Sequence, residues 1–153
     1  MAARARRAKV TEKDPGIAAS YATAFAVGRA EGDDRTPEEW ARSAFEDAPR
    51  VVRWFVLFGW RYVLGFVLGP RPSPVHVSGW SVLRTEPAVL VLGVQSRLLT
   101  AHKWVRVEHD TVVMTTFVHY AGALGRVAWT LVVPVHHRTE PYLLGRAAAS
   151  ARR

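Results

Sequence analysis

The feature that most constrains this chain is where its hydrophobic period changes. From Thr36 to P-R-P-S-P at 70–74 the apolar residues recur at helical spacing, and from Val75 they alternate with a period of two. The alternation persists through W-S-V-L-R (80–84), A-V-L-V-L-G-V-Q-S (88–96), A-H-K-W-V-R-V-E (101–108) and T-V-V-M-T-T-F-V-H-Y (111–120). Only Glu86-Pro87, Leu98-Leu99-Thr100 and His109-Asp110 separate these runs, so the strands must pair antiparallel with their neighbours. After Ala121-Gly122 the pattern is helical to the end, with Pro134 expected to kink it. A sheet of this kind has one apolar face to bury, and only flanking helices can cover it.

The segments ahead of the sheet supply part of that cover. S-Y-A-T-A-F-A-V (20–27) alternates like a further strand, and G-R-A-E-G-D-D-R follows it as a loop. T-P-E-E-W then starts a helix sharply: Thr36 is the N-cap, Pro37 occupies the first helical position and Glu39 completes a capping box. Pro49 divides this helix from a second at about 50–68. The fold class is therefore α+β: a curved antiparallel sheet packed on a long C-terminal helix, with two further helices near the N-terminus. Residues 1–16 read as a flexible basic lead-in and 17–150 as one domain.

Composition removes several functions. There are no cysteines among 153 residues, which excludes disulfides, thiolate catalysis and cysteine-ligated metals. The net charge of +8 invites a nucleic-acid reading. The excess nevertheless sits on Arg4, Arg6, Arg7, Lys9 and Lys13 at one end and Arg146, Arg152 and Arg153 at the other. The body between them is close to neutral and has no basic stripe for phosphates, so no nucleic acid is expected as a partner and the ends read as solubilising tails. V-V-R-W-F-V-L-F-G-W-R-Y-V-L-G-F-V-L-G (51–69) is nearly long enough to span a bilayer. Arg53 and Arg61 interrupt it, and a central arginine costs roughly 2.5–3.5 kcal/mol. A mostly buried helix, compatible with peripheral membrane contact but not a transmembrane span, is the expectation. The location expected is cytoplasmic.

Strand faces can be assigned from charge. Arg106 and Glu108 share a face with His102 and Trp104, so that face is solvated and Ala101, Lys103, Val105 and Val107 point to the core. The next strand then turns Val112, Met114, Thr116, Val118 and Tyr120 inward. Lys103 on an apolar face needs a partner or a route to water, and a long stem lets it snorkel at a sheet edge. The outer face, with His102, Trp104, Phe117 and His119, is more apolar than a solvated surface needs to be. It is the expected interaction face, suited to a homodimer or another protein.

No catalytic motif is present: there is no G-x-S-x-G and no H-E-x-x-H. The adjacent carboxylates Asp33-Asp34, Glu38-Glu39 and Glu46-Asp47 each sit where a loop or helix end accounts for them. On the last helix, positions 124, 128, 131, 135, 139 and 142 form an apolar stripe. His136 and Glu140 lie off that stripe, four residues apart, as a supporting pair worth a few tenths of a kcal/mol. His137 reads as surface. Zinc would require ligands from elsewhere in the chain, so neither a metal nor a cofactor is expected.

G-A-L-G-R-V-A-W-T-L-V-V-P-V-H-H-R (122–138) resembles the Gly-Arg…Trp…Pro-x-His stretch of an uncharacterised SRPBCC-like family with the START-like helix-grip fold. That family also occurs fused to NAD-binding epimerase-like domains; no G-x-G-x-x-G occurs here, so that activity does not carry over. The resemblance implies a cavity between sheet and C-terminal helix holding a small, largely apolar ligand, and assigns no catalytic residue. It gives His136, at the Pro-x-His position, precedence over His137. The expected walls are Tyr62, Trp80, Lys103, Val105, Met114, Thr116, Tyr120, Trp129 and His136. A cyclase- or hydratase-like enzyme using Lys103, Tyr120 or His136 in the same cavity is the alternative, and a protein-interaction module using the aromatic sheet face is a third reading.

Overall fold

A computed structural model describes residues 4–150. It comprises β1 (Arg6–Ala8), β2 (Tyr21–Gly28), α1 (Pro37–Phe45), α2 (Arg50–Phe58) with a π-helical continuation (Gly59–Val63), β3 (His76–Val77), β4 (Trp80–Thr85), β5 (Val89–Gln95), β6 (Leu99–Val107), β7 (Thr111–Tyr120) and α3 (Ala123–Ser150). The strands form one curved antiparallel sheet in the order β1-β2-β7-β6-β5-β4-β3. Each of β4 to β7 pairs with its sequence neighbour, because the connections are too short for anything else. β2 closes onto β7, placing Thr23 opposite Thr116 and Phe25 opposite Met114.

Local chemistry starts and stops the helices as the sequence implies. Thr36 Oγ1 accepts from Glu39 N, and the Glu39 carboxylate accepts from Thr36 N. α2 gives way to a π turn in which Leu64 N donates to Gly59 O, and Gly65 ends it at φ +71°, where a side chain would be strained. The strands β3 and β4 are joined by Ser78-Gly79, both with positive φ, as a two-residue hairpin loop requires. The helix α3 runs unbroken through Pro134 and Pro141.

The main core lies between the inner sheet face and the helices α1 and α3. Val27, Leu90, Leu92, Val105, Val112, Met114 and Val118 project from the sheet to meet Trp40, Ala44, Phe45, Trp129, Leu143, Leu144 and Ala147. Fully buried leucines such as Leu143 and Leu144 contribute about 1.5–3 kcal/mol each. At the start of α3, Gly125 passes so close to the Leu98 carbonyl that a Cβ would lie 2.0 Å from its oxygen, so only glycine lets the helix seat there. The strand faces are those that the charge pattern predicts.

Three expectations change. The lead-in is not free from Arg6 onward: β1 pairs with β2, and residues 10–18 lie across the outer sheet face. Residues 1–3 of the lead-in, together with the basic Arg152 and Arg153, fall outside the described residues. The apolar stripe of α3 also does not face the core, since Leu124, Leu131, Val135 and Tyr142 are exposed. The inward face carries Gly125, Trp129, His136, Glu140, Leu143 and Leu144 instead. That choice is physically open because the sheet offers His136 and Glu140 polar partners, which removes the usual cost of burying them. Nor is the segment 51–69 the mostly buried helix expected, for neither α2 nor its π-helical continuation contains a buried residue; among the described residues, no helix is long and apolar enough to cross a membrane.

Candidate functional site

A cavity of about 300 Å³ opens between the inner sheet face, the middle of α3 and the α2–π segment. That is the lower end of the range for small-molecule pockets, roughly 300–1,000 Å³. Its floor comes from Trp80, Ala101, Lys103 and Thr116, one wall from Trp129, Val132, His136 and Glu140, and its roof from Phe55, Val56, Phe58, Trp60 and Leu64. The roof is lightly anchored, for α2 contains no buried residue. Trp60 bridges it to the floor, with ring centroids 5.4 Å from Trp80 and 5.8 Å from Phe45.

Within these apolar walls lies one polar cluster, built by the sheet register. Thr23, Thr116 and Lys103 occupy one row across β2, β7 and β6. α3 lays His136 and Glu140, one helical turn apart, over that row. Lys103 Nζ donates to Glu140 Oε1 at 2.5 Å and to Thr116 Oγ1 at 3.0 Å. Lys103 is 3% exposed and Glu140 5%, so water screens neither. The ammonium also stands 5.3 Å from the Phe45 ring centre and 5.4 Å from that of Trp80. Burial alone would raise the Glu140 pKa; the charges of Lys103 and His136, with the Lys103 and Thr116 hydrogen bonds, outweigh it and hold the carboxyl below its usual value.

Burial pushes the His136 pKa down to about 4, against the opposing pull of Glu140, so the imidazole is neutral near pH 7. Its Nδ1 is 3.6 Å from Glu140 Oε2, and its Nε2 is 3.4 Å from the Thr23 hydroxyl. Assigning the proton to Nδ1 turns N–H toward the carboxylate and leaves Nε2 to accept from Thr23. Tyr21 edges against Trp129, and its hydroxyl pairs with His137 Nε2 at 2.6 Å. Burial lowers the His137 pKa, helped by the charge of Arg7, so Tyr21 can donate to the neutral ring. The indole N–H groups of Trp80 and Trp129, both in the lining, are buried without a protein acceptor.

Of the expected wall residues, Trp80, Lys103, Thr116, Trp129 and His136 meet at this cavity. Val105 and Met114, opposite one another on β6 and β7, are packed in the core, and Tyr120 is half-buried near the end of β7. Tyr62 points away, because the π turn directs Gly59, Trp60 and Val63 inward in its place. Lys103 does not snorkel to an edge; its register position is central, and Glu140 gives it a buried counter-ion. Glu140 is the residue that the sequence reading placed least well. The sequence carries a signal for it, since an inward lysine requires an anion and the C-terminal helix is the element expected to cover that face.

The face carrying His102, Trp104, Phe117 and His119 is occupied by the chain itself. Asp14 Oδ2 accepts from Trp104 Nε1 at 2.8 Å and from His102 Nδ1 at 2.6 Å. His119 Nδ1 donates to Ala18 O, while Val10 and Ile17 pack against Val91, Trp104 and Phe117. Glu12 reaches Arg106 at 2.9 Å and Thr115 at 2.6 Å. For both carboxyls burial raises the pKa, but their hydrogen-bond donors more than offset it and the net shift is downward. Among the described residues no three His, Asp or Glu side chains come together as a metal site.

These features define a class of protein: an α+β domain whose long helix and antiparallel sheet enclose an apolar cavity around a buried ion pair. The chain belongs to the family described as Protein of unknown function (DUF2867), which matches residues 18–141. That span runs from the end of the lead-in to one residue beyond Glu140. No curated protein and no solved structure matches the chain.

Proposed function

We propose that the protein is a START-like, SRPBCC-type binding module that sequesters a small, largely apolar molecule in the cavity between β6, β7, α3 and the α2–π roof. The observation that carries this reading is the lining itself. Aromatic and aliphatic walls surround a few convergent polar groups, Lys103, Thr116, His136 and Glu140. Apolar contact would supply most of the affinity at about 25 cal/mol per Å² buried.

Native mass spectrometry of the gently purified protein tests this, together with quenching of Trp60, Trp80 and Trp129 fluorescence by an apolar dye. The expected result is a retained small molecule or saturable dye binding that Val132→Trp, which fills the mouth, abolishes. Dye binding unchanged by that substitution would sink the proposal.

One observation favours acid–base catalysis as a second reading: Lys103, His136 and Glu140 all face the cavity. Since Lys103 and Glu140 occupy each other, neutral His136, whose Nε2 meets only the Thr23 hydroxyl at 3.4 Å, is the group left to take a proton. An enzyme of this kind would lose turnover but keep ligand affinity in His136→Gln, whereas a pure binder would show no turnover to lose.

A further inference from the structure

The rim of the cavity carries an exposed surface that the binding reading does not use. Trp54, Phe58 and Tyr62 form a ladder along the outside of α2 and the π turn, with ring centroids 5.4 and 5.1 Å apart. Trp54 is 65% exposed and Tyr62 68%. Across the mouth, Leu124, Leu131 and Val135 make the outward stripe of α3, and Leu131 is 71% exposed. Leu131 and Val135 also line the cavity alongside Phe55 and Phe58, so the two apolar strips are the two lips of one opening. Contiguous exposed apolar surface of this kind marks an interaction site.

The charges on the lips identify the occupant. From Pro49 to Leu83 the chain has Arg50, Arg53, Arg61 and Arg71 and no acidic residue; from Ala121 to Thr139 it has Arg126 and Arg138 and again none. Arg50 stands one helical turn before Trp54 on the same face. Arg50, Arg53 and Arg71 share a shallow groove with Trp54, where the one carboxylate, Glu46, is already engaged by Arg42 and the Ser78 N–H. A second copy of the chain is a poor match, because a two-fold contact would set these arginines against themselves. Aromatic residues flanked by arginines on a lightly anchored helix suit the headgroup–acyl boundary of a membrane.

We propose that the α2–π segment and the outward stripe of α3 dock on an anionic lipid bilayer, the aromatic ladder entering the interface and the arginines meeting lipid phosphates. Docking there would open the cavity toward the lipid, and it stands whether or not the ligand reading holds.

The test is co-sedimentation of the full-length protein with vesicles of phosphatidylcholine alone or with about 30% phosphatidylglycerol, monitored also by tryptophan emission. Binding should require the anionic lipid, weaken as salt rises toward about 1 M and shift the emission to the blue. Trp54→Ser with Phe58→Ser should weaken binding at least about tenfold, and Arg53→Ala about fivefold, with circular dichroism unchanged. Both ladder residues are exposed, so the fold should tolerate their replacement. Binding retained by the double variant would overturn the proposal and place the attraction on the basic ends. So would equal binding to neutral vesicles, no binding to either, or a dimer of the parent chain that the double variant converts to monomer.

Discussion

Replacing Lys103 by methionine puts the buried pair to its most direct test. The substitution keeps the length of the stem and removes the charge, leaving Glu140 ionised, 5% exposed and without a cation. At contact distance and an effective dielectric constant of about 20, the lost attraction is roughly 5 kcal/mol. Protonation of Glu140 and adjustment of Thr116 would recover part of this, and breaking buried pairs on one side usually costs about 3–5 kcal/mol. A domain of this size would show that as a fall in melting temperature of roughly 6–20 °C, taking about 2–4 °C per kcal/mol. Glu140→Met should cost a similar amount, since it strands the ammonium. The double variant Lys103→Met/Glu140→Met buries no charge and should recover most of the loss. Urea unfolding of all four proteins, followed by circular dichroism, gives the coupling directly. If either single variant loses less than about 1 kcal/mol and the coupling is near zero, the pair is neither buried nor mutually dependent, and the polar cluster does not exist as described.

Acid should destabilise the protein before ordinary carboxylates titrate. The His136 pKa falls from 6.5 in the unfolded chain to about 4 when folded, so the unfolded state binds more protons between those values. The stability contributed is complete above pH 6.5 and lost as pH falls toward 4, roughly 3 kcal/mol in all. His136→Gln should flatten unfolding curves over that window, and an unchanged slope would contradict a buried neutral imidazole. On the opposite face, Asp14→Ala should leave Trp104 Nε1 and His102 without their acceptor at a cost of about 1–3 kcal/mol. Hydrogen exchange should then accelerate across residues 8–18 and Trp104 emission shift to the red. If those amides already exchange at free-peptide rates in the parent protein, residues 10–18 do not lie across the outer sheet face.

The order of elements from β2 to α3, the short β3 excepted, follows from the sequence alone. The change from helical to twofold period at 70–75, the T-P-E-E capping box and the short polar breaks near 86, 98 and 109 set these elements and leave β4 to β7 no other arrangement of neighbours. These are local effects, decided within a few residues of where they are read. The inward face of β6 is also legible, because Arg106 and Glu108 cannot share the core side without partners, and Lys103 is thereby placed inward.

What sequence could not decide is what stands opposite each face. The rotation of α3 about its axis depends on whether His136 and Glu140 find partners on the sheet. Only the register that sets Lys103, Thr116 and Thr23 in one row supplies them. Periodicity favours the apolar stripe of Leu124, Leu131 and Val135; tertiary pairing turns that stripe outward and leaves it as a lip of the cavity. The lead-in is a similar case. Its polar composition reads as free chain, yet Glu12 and Asp14 are matched across more than eighty residues to Arg106, Thr115, His102 and Trp104. Period and composition describe a segment by itself, whereas a buried charge takes its meaning from a partner that the chain brings up only when it folds.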